Sequence, residues 1–146
     1  MDKYENRAME LESGIAAFET KNFAHAIKLL SSIADEGNVE AMYRMAIMLQ
    51  NGLGCQENTQ KAFDFMSKAA EKGYPIAQHA LGFMFFEGEC TAKDIDRSIE
   101  WFTKAANQGL MGSATTLAMI YEEGKLVQQD LDKAQHWYKK AGIEKV

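Results

Sequence analysis

Residues 61–73 read KAFDFMSKAAEKG, and residues 97–109 read RSIEWFTKAANQG, so the same pattern returns after 36 residues. A third copy, KAQHWYKKAG, begins after a further 36 residues, at position 133. Within the first copy the apolar and small residues Ala62, Phe65, Met66 and Ala69 recur at the spacing of one helical face. Because the copies align without any insertion, this stretch predicts a chain built from repeated helical units.

Each of the four units is predicted to contain two helices. Helix A is expected at about 39–51, 75–87 and 111–123, and helix B at about 59–72, 95–108 and 131–142. A first unit is expected to have helices at about 4–19 and 23–36, joined only by Thr20-Lys21-Asn22. Because stacked pairs bury a core that one pair alone cannot, we predict an all-α fold, an α/α superhelical solenoid of four antiparallel helix pairs. The predicted single repeat domain, 1–146, has units at 4–37, 39–74, 75–110 and 111–146, the last with the C-terminal tail.

Capping residues indicate where helix B begins and ends. Asn58, Asp94 and Asp130 precede it, and a side-chain oxygen at this position can accept hydrogen bonds from free backbone N–H groups. Gly73 and Gly109 follow its end, where a left-handed cap favours glycine.

A column of small residues lies in the middle of helix A, at Ala46, Gly82 and Ala118. Glycine in a helix interior costs about 1 kcal/mol relative to alanine. Gly82 therefore predicts that another helix approaches closely at this point.

Composition argues against several functional classes. The chain is 47% apolar and 25% charged, which is typical of a folded protein rather than a disordered one. Its net charge of -5 argues against binding to nucleic-acid phosphates. The sequence has no apolar run of about 18 residues, so we expect no membrane span. The first seven residues, MDKYENR, lack the pattern of a signal peptide, and a cytoplasmic protein is expected.

The sequence carries no recognisable catalytic or metal-binding motif. Cys55 and Cys90 have no histidine within four residues, and the three histidines, His25, His79 and His136, form no ligand pair at helical spacing. The Ser-x-x-Lys nucleophile motif is absent. We therefore predict no catalytic residue, no cofactor and no metal, and thus a protein that is not an enzyme.

Residues 39–54, VEAMYRMAIMLQNGLG, followed by residues 61–73, resemble the SEL-one-like repeat (SLR), a branch of the tetratricopeptide-like helical repeats. The next two units resemble it through Leu81, Gly82, Gly88, Asp94, Trp101 and Gly109, and through Leu117, Tyr121, Gly124, Asp130 and Trp137. The first unit, with its short loop, is more similar to a plain tetratricopeptide repeat. The resemblance covers about residues 4–142, nearly the whole chain.

This resemblance implies a right-handed superhelix of helical hairpins that binds other proteins or peptides. It favours a non-catalytic bacterial adaptor or scaffold for protein–protein interaction. One cysteine-rich bacterial branch of the family is linked to β-lactam binding and hydrolysis, but this chain lacks a cysteine pair in each repeat. A β-lactam-hydrolysing enzyme and a self-assembling structural module remain alternatives.

In tetratricopeptide-like stacks helix A lines the concave side, so the resemblance implies a groove for a partner helix or peptide. The residues expected to face it, at a spacing of three or four along each helix A, are Leu11, Ile15 and Phe18; Tyr43, Ile47 and Gln50; His79, Phe83 and Phe86; and Thr115, Met119 and Glu122. The alternative is that they pack between neighbouring helices, which we favour for Tyr43. Phe86 most needs an explanation, because the family usually has a polar or acidic residue there.

The C-terminal end offers a second candidate surface. Solenoids need a polar outer face on their last repeat, and here only a short tail follows the last helix B. The predicted homodimer contact or docking edge comprises Trp137, Tyr138, Ile143 and Val146. The alternative is that nearby lysines and a glutamine make this face polar enough.

Overall fold

The computed structural model describes residues 2–144, within which eight α-helices and no strand are present. The helices are α1 (Lys3–Glu19), α2 (Phe23–Asp35), α3 (Val39–Asn51), α4 (Thr59–Glu71), α5 (Pro75–Glu87), α6 (Ile95–Asn107), α7 (Met111–Glu123) and α8 (Leu131–Lys140). The predicted all-α repeat solenoid is confirmed, and the helix ends agree with the predicted ones to within two residues.

The chain divides into two compact units, Met1–Tyr74 and Pro75–Val146. This division falls where the sequence pattern separates the second repeat from the third. Each unit contains two complete helix pairs. That all four pairs form a single domain stays a prediction.

In the first unit, α1 packs on α2 and α3 packs on α4, while α2 and α1 both contact α3. The core is built from small and medium side chains on facing helices. Its fully inaccessible members include Ala26, Leu30, Ala41 and Ala62. Alanine at such positions lets the helix backbones approach, and the larger Leu30 fills the remaining space.

In the second unit, α5 packs on α6, α6 on α7, and α7 on α8. Phe102, from α6, is fully buried and belongs to a core cluster that extends into α7 and α8. Phe83 and Phe86 of α5 are only partly buried and pack against that cluster. The core cluster therefore holds Phe83 and Phe86, the helix-A residues of greatest functional interest, in place.

The predicted caps of helix B are present. The Oδ1 atoms of Asn58, Asp94 and Asp130 accept hydrogen bonds of 3.0, 3.1 and 3.0 Å from backbone N–H groups at the third residue of the following turn. Each bond satisfies a donor that the helix itself cannot pair, which explains why these helices begin where they do.

The predicted close approach at Gly82 is also present. A Cβ atom on this residue would lie 2.7 Å from ring atoms of Phe102. The ring belongs to a residue with no exposed surface, so it has little room to move. Glycine at this position thus lets α5 lie directly against the Phe102 ring.

Replacing Gly82 with alanine is expected to lower the free energy of unfolding by about 1–2 kcal/mol. Overpacking against Phe102 should cost about 1–3 kcal/mol, which outweighs the gain of up to about 1 kcal/mol in helix propensity. The control is Gly112→Ala in α7, where the added Cβ would lie 3.8 Å from a His79 ring carbon, an ordinary contact. Urea denaturation of both variants is the measurement. If Gly82→Ala were as stable as Gly112→Ala, the close approach would be refuted.

Candidate functional site

The twelve helix-A side chains predicted to face a groove, here called the helix-A stripe, are neither fully buried nor isolated from the core. Eleven of them are half-buried, and Met119 is 48% exposed. Six lie on α1 and α3 in the first unit, and six on α5 and α7 in the second. The stripe side chains therefore pack partly against the protein and keep part of their surface accessible. That the stripe binds a partner stays a prediction.

The second unit has the most aromatic part of the stripe. The ring of Phe83 lies 4.9 Å from that of the buried Phe102, in an edge-to-face arrangement. Phe86 stands 6.0 Å from Phe83 and 6.4 Å from Phe102, also edge to face. Such pairs hold the rings in fixed orientations. Phe83 and Phe86 thus form a half-buried aromatic ledge on α5.

Two apolar residues that sequence reasoning missed extend the stripe. Ile76 lies one turn before His79 and is 42% exposed, and Met111 lies one turn before Thr115 and is 63% exposed. The signal was available, because both residues continue the spacing of three or four along the same helix face.

His79 connects α5 to α7 in the second unit. Its Nδ1 atom lies 2.6 Å from the hydroxyl oxygen of Ser113, a buried residue that sequence reasoning did not single out. Its ring is also 5.0 Å from that of Phe83 and 5.6 Å from that of Phe102. Burial lowers the pKa of His79, because desolvation disfavours the charged imidazolium.

The lowered pKa predicts how stability depends on pH. The unfolded chain binds a proton at His79 more readily than the folded protein does. The stability that neutral His79 contributes is therefore fully present above the pKa of the unfolded chain, and it is lost as the pH falls through the pKa of the folded protein. Between about pH 7 and about pH 5, the wild type is expected to lose more stability than a His79→Gln variant. Urea denaturation at both values tests this. Equal losses in the two proteins would contradict it.

In the first unit the stripe comprises Leu11, Ile15 and Phe18 on α1 and Tyr43, Ile47 and Gln50 on α3. The ring of Tyr43 lies 5.8 Å from that of Tyr74. Burial raises the pKa of the Tyr43 phenol, and the nearby positive charge of Arg44 offsets part of this rise. These contacts fit the packing role favoured for Tyr43, although its side chain remains half-buried.

Arg44 is a further residue that sequence reasoning missed. Its guanidinium carbon lies 5.8 Å from the ring centre of Phe18 and 5.9 Å from that of Tyr43. A cation so placed is attracted by the electron-rich faces of the rings. A positive charge therefore lies beside two stripe residues of the first unit.

The proposed C-terminal edge needs a correction. Trp137 and Tyr138 are core residues, only 9% and 5% exposed, because α8 buries them against the cluster that contains Phe102. Ile143 is 39% exposed, and Val146 lies outside the described residues. An edge formed by the two aromatic side chains is therefore not present, and only Ile143 remains of the described candidates.

No group of three or more histidine, cysteine, aspartate or glutamate side chains within residues 2–144 is arranged to hold a metal ion. The Cys55 thiol is directed toward the carbonyl oxygen of Met48, 3.7 Å away, and burial raises the pKa of this thiol.

Within residues 2–144, no helix is long and apolar enough to span a bilayer.

The sequence profile described as Sel1 repeat matches residues 6–38, 39–74, 75–110 and 113–143. The chain belongs to the Sel1 repeat family. The profile also covers the first unit, at residues 6–38. The short loop of this unit had made it more similar to a plain tetratricopeptide repeat. Sel1 repeat proteins are generally scaffolds for protein interaction, and the fold is typically non-catalytic.

Two solved bacterial structures are similar to this Sel1 repeat chain. The Sel1 repeat protein from Oxalobacter formigenes is 30% identical, with a TM-score of 0.81 and coverage of 90% of this chain and 54% of that one. The protective antigen c5321 of uropathogenic Escherichia coli, which displays an SLR fold, is 32% identical, with a TM-score of 0.84 and coverage of 93% and 30%. The chain thus spans about half of the first protein and less than a third of the second. No curated protein matches the sequence significantly.

Proposed function

We propose that this Sel1 repeat protein is a non-catalytic adaptor that binds helices or peptides of partner proteins through the helix-A stripe residues of its compact units. The observation that carries the proposal is the half-buried ledge of Phe83 and Phe86, whose rings keep some accessible surface. Rigid aromatic side chains with one face on a core and another face accessible are typical anchors in protein interfaces. The general scaffold role of the family supports the same function.

An aromatic side chain at the position of Phe86 is not a general requirement of a Sel1 unit. Gln50 and Glu122 occupy the equivalent positions one repeat before and one repeat after it. Both are half-buried in the same fold. An aromatic side chain where the other repeats have polar ones therefore supports a binding role.

We place this function in the bacterial cytoplasm. Both structural relatives come from bacteria. The sequence has no cysteine pair within a repeat, which suits a reducing compartment.

Selection from a displayed library of random peptides tests the function without knowledge of the natural partner. We expect the protein to enrich peptides with apolar side chains at helical or alternating spacing, because such peptides can place anchors on the stripe. The enriched peptides should bind in fluorescence anisotropy, whereas scrambled versions should bind weakly. Failure to enrich any sequence family, or equal binding of the scrambled peptides, would contradict the proposal.

A further inference from the structure

The three arginines of this protein differ in how their charge is neutralised. Arg7 forms ion pairs with Glu10 and Glu36, and Arg97 lies 3.6 Å from a carboxylate oxygen of Asp94. Among the described residues, no carboxylate forms an ion pair with Arg44. Arg44 is thus a positive charge beside the helix-A stripe that the fold leaves uncompensated.

The hydrogen-bonding capacity of Arg44 is also largely unused. Its Nη1 atom donates a 3.0 Å bond to the backbone carbonyl oxygen of Glu40. Its Nε atom is buried and has no partner among residues 2–144. A guanidinium has five N–H donors, and leaving donors unpaired away from water is unfavourable. Arg44 as a whole is only half-buried, so a ligand would meet the terminal donors of the guanidinium rather than the enclosed Nε.

The repeat pattern indicates that Arg44 is not required for folding. Ala80 and Thr116 occupy the equivalent positions in the next two repeats. Neither can carry a charge, yet the same helix pairs form around them. Arg44 is therefore a special feature of the first unit.

The surroundings of Arg44 indicate which anion it would take. The rings of Phe18 on α1 and Tyr43 on α3 both lie within 6 Å of the guanidinium carbon. A peptide whose apolar side chains contacted both rings would bring one of its internal side chains close to Arg44. A guanidinium with no carboxylate of the described chain within ion-pair distance is complementary to a single carboxylate of a partner.

We propose that Arg44 binds the carboxylate of an internal aspartate or glutamate of the partner peptide, whose neighbouring apolar side chains pack on Phe18 and Tyr43. This inference rests on the proposed peptide-binding function and adds the chemistry of the partner. A planar guanidinium matches a carboxylate with paired hydrogen bonds, and the aromatic rings beside it hold it in place.

Two matched displayed libraries of random peptides test this inference. One has glutamate fixed at its central position, and the other has glutamine there. We expect the wild type to enrich the glutamate library more strongly. Synthetic peptides from the winning sequences, amidated at the C-terminus, should bind about tenfold or more tightly with glutamate than with glutamine. Added salt should weaken this preference.

The variant Arg44→Gln should lose the preference for glutamate but still bind the glutamine peptides through apolar contacts. The matched control is Arg97→Gln, which removes the same charge in the other unit and should keep the preference. Equal binding of glutamate and glutamine peptides by the wild type would overturn the role of Arg44 and leave the adaptor function intact. A preference that vanishes on amidation would assign the carboxylate to the chain end and also overturn the inference. No enrichment from either library would overturn both proposals.

Discussion

Replacing Phe102 with alanine is expected to lower the free energy of unfolding of the second unit by about 3–5 kcal/mol. The side chain has no exposed surface, and its ring is packed edge to face against Phe83 and Phe86. It also lies against Gly82, where an added Cβ would stand 2.7 Å from its ring atoms. The variant should therefore contain a cavity that neighbouring backbone cannot fill. Urea denaturation monitored by circular dichroism measures the loss, and hydrogen exchange should locate it in α5 and α6.

The neighbouring aromatic residue provides the control. Trp101 is only half-buried, and its ring lies under the Lys104 ammonium, whose nitrogen is 4.4 Å from the ring centre. Trp101→Ala should therefore cost about 1–2 kcal/mol, since it removes partly exposed area and one cation–π contact. A loss at Trp101 equal to or larger than the loss at Phe102 would contradict the assignment of Phe102 to the centre of this core.

Replacing Phe86 with glutamine is expected to weaken binding of a selected peptide by about 30-fold or more, which corresponds to about 2 kcal/mol. The accessible part of the ring is proposed to anchor the peptide, and glutamine cannot replace that apolar contact. Glutamine is also the residue at the equivalent position of the preceding repeat, Gln50, so the helix should still form. Fluorescence anisotropy gives the affinity, and circular dichroism verifies the fold.

The control for this variant is Leu131→Gln. Leu131 is 61% exposed at the start of α8, a helix that carries none of the stripe residues, so the change removes apolar surface outside the proposed site. Its peptide affinity should stay within about threefold of the wild type. If both variants lost affinity equally, or if neither did, the aromatic ledge would not be the anchor.

The fold could be predicted almost completely from the sequence because the repeat supplies many independent signals for each boundary. The 36-residue period aligns Asn58, Asp94 and Asp130, and each of these side chains caps a helix in the structure. The glycine at position 82 likewise indicates a close helix approach, and the Phe102 ring lies there in the structure. Local chemistry and periodicity therefore agree throughout the chain.

The candidate site could be predicted less well, because periodicity identifies a helix face but not the depth to which that face is buried. The sequence predicts that Phe83 and Phe86 either line a groove or pack between helices. In the structure both pack against the core cluster and are only partly buried. Trp137 and Tyr138 were expected at an open edge, but they lie in the core because α8 turns that face toward α7. Arg44 has no counterpart in the other repeats, so its aromatic contacts were not visible from the repeat pattern.

The most direct test of the account is methyl NMR of the protein with a selected peptide bound. Ile15, Ile47 and Met119 provide methyl groups on the helix-A stripe, whereas Leu131 and Ile143 provide exposed ones elsewhere. The account predicts that the peptide shifts and broadens stripe methyl signals and leaves the other two unchanged. Shifts confined to Leu131 and Ile143, with the stripe signals unaffected, would show that the partner binds elsewhere and would contradict it.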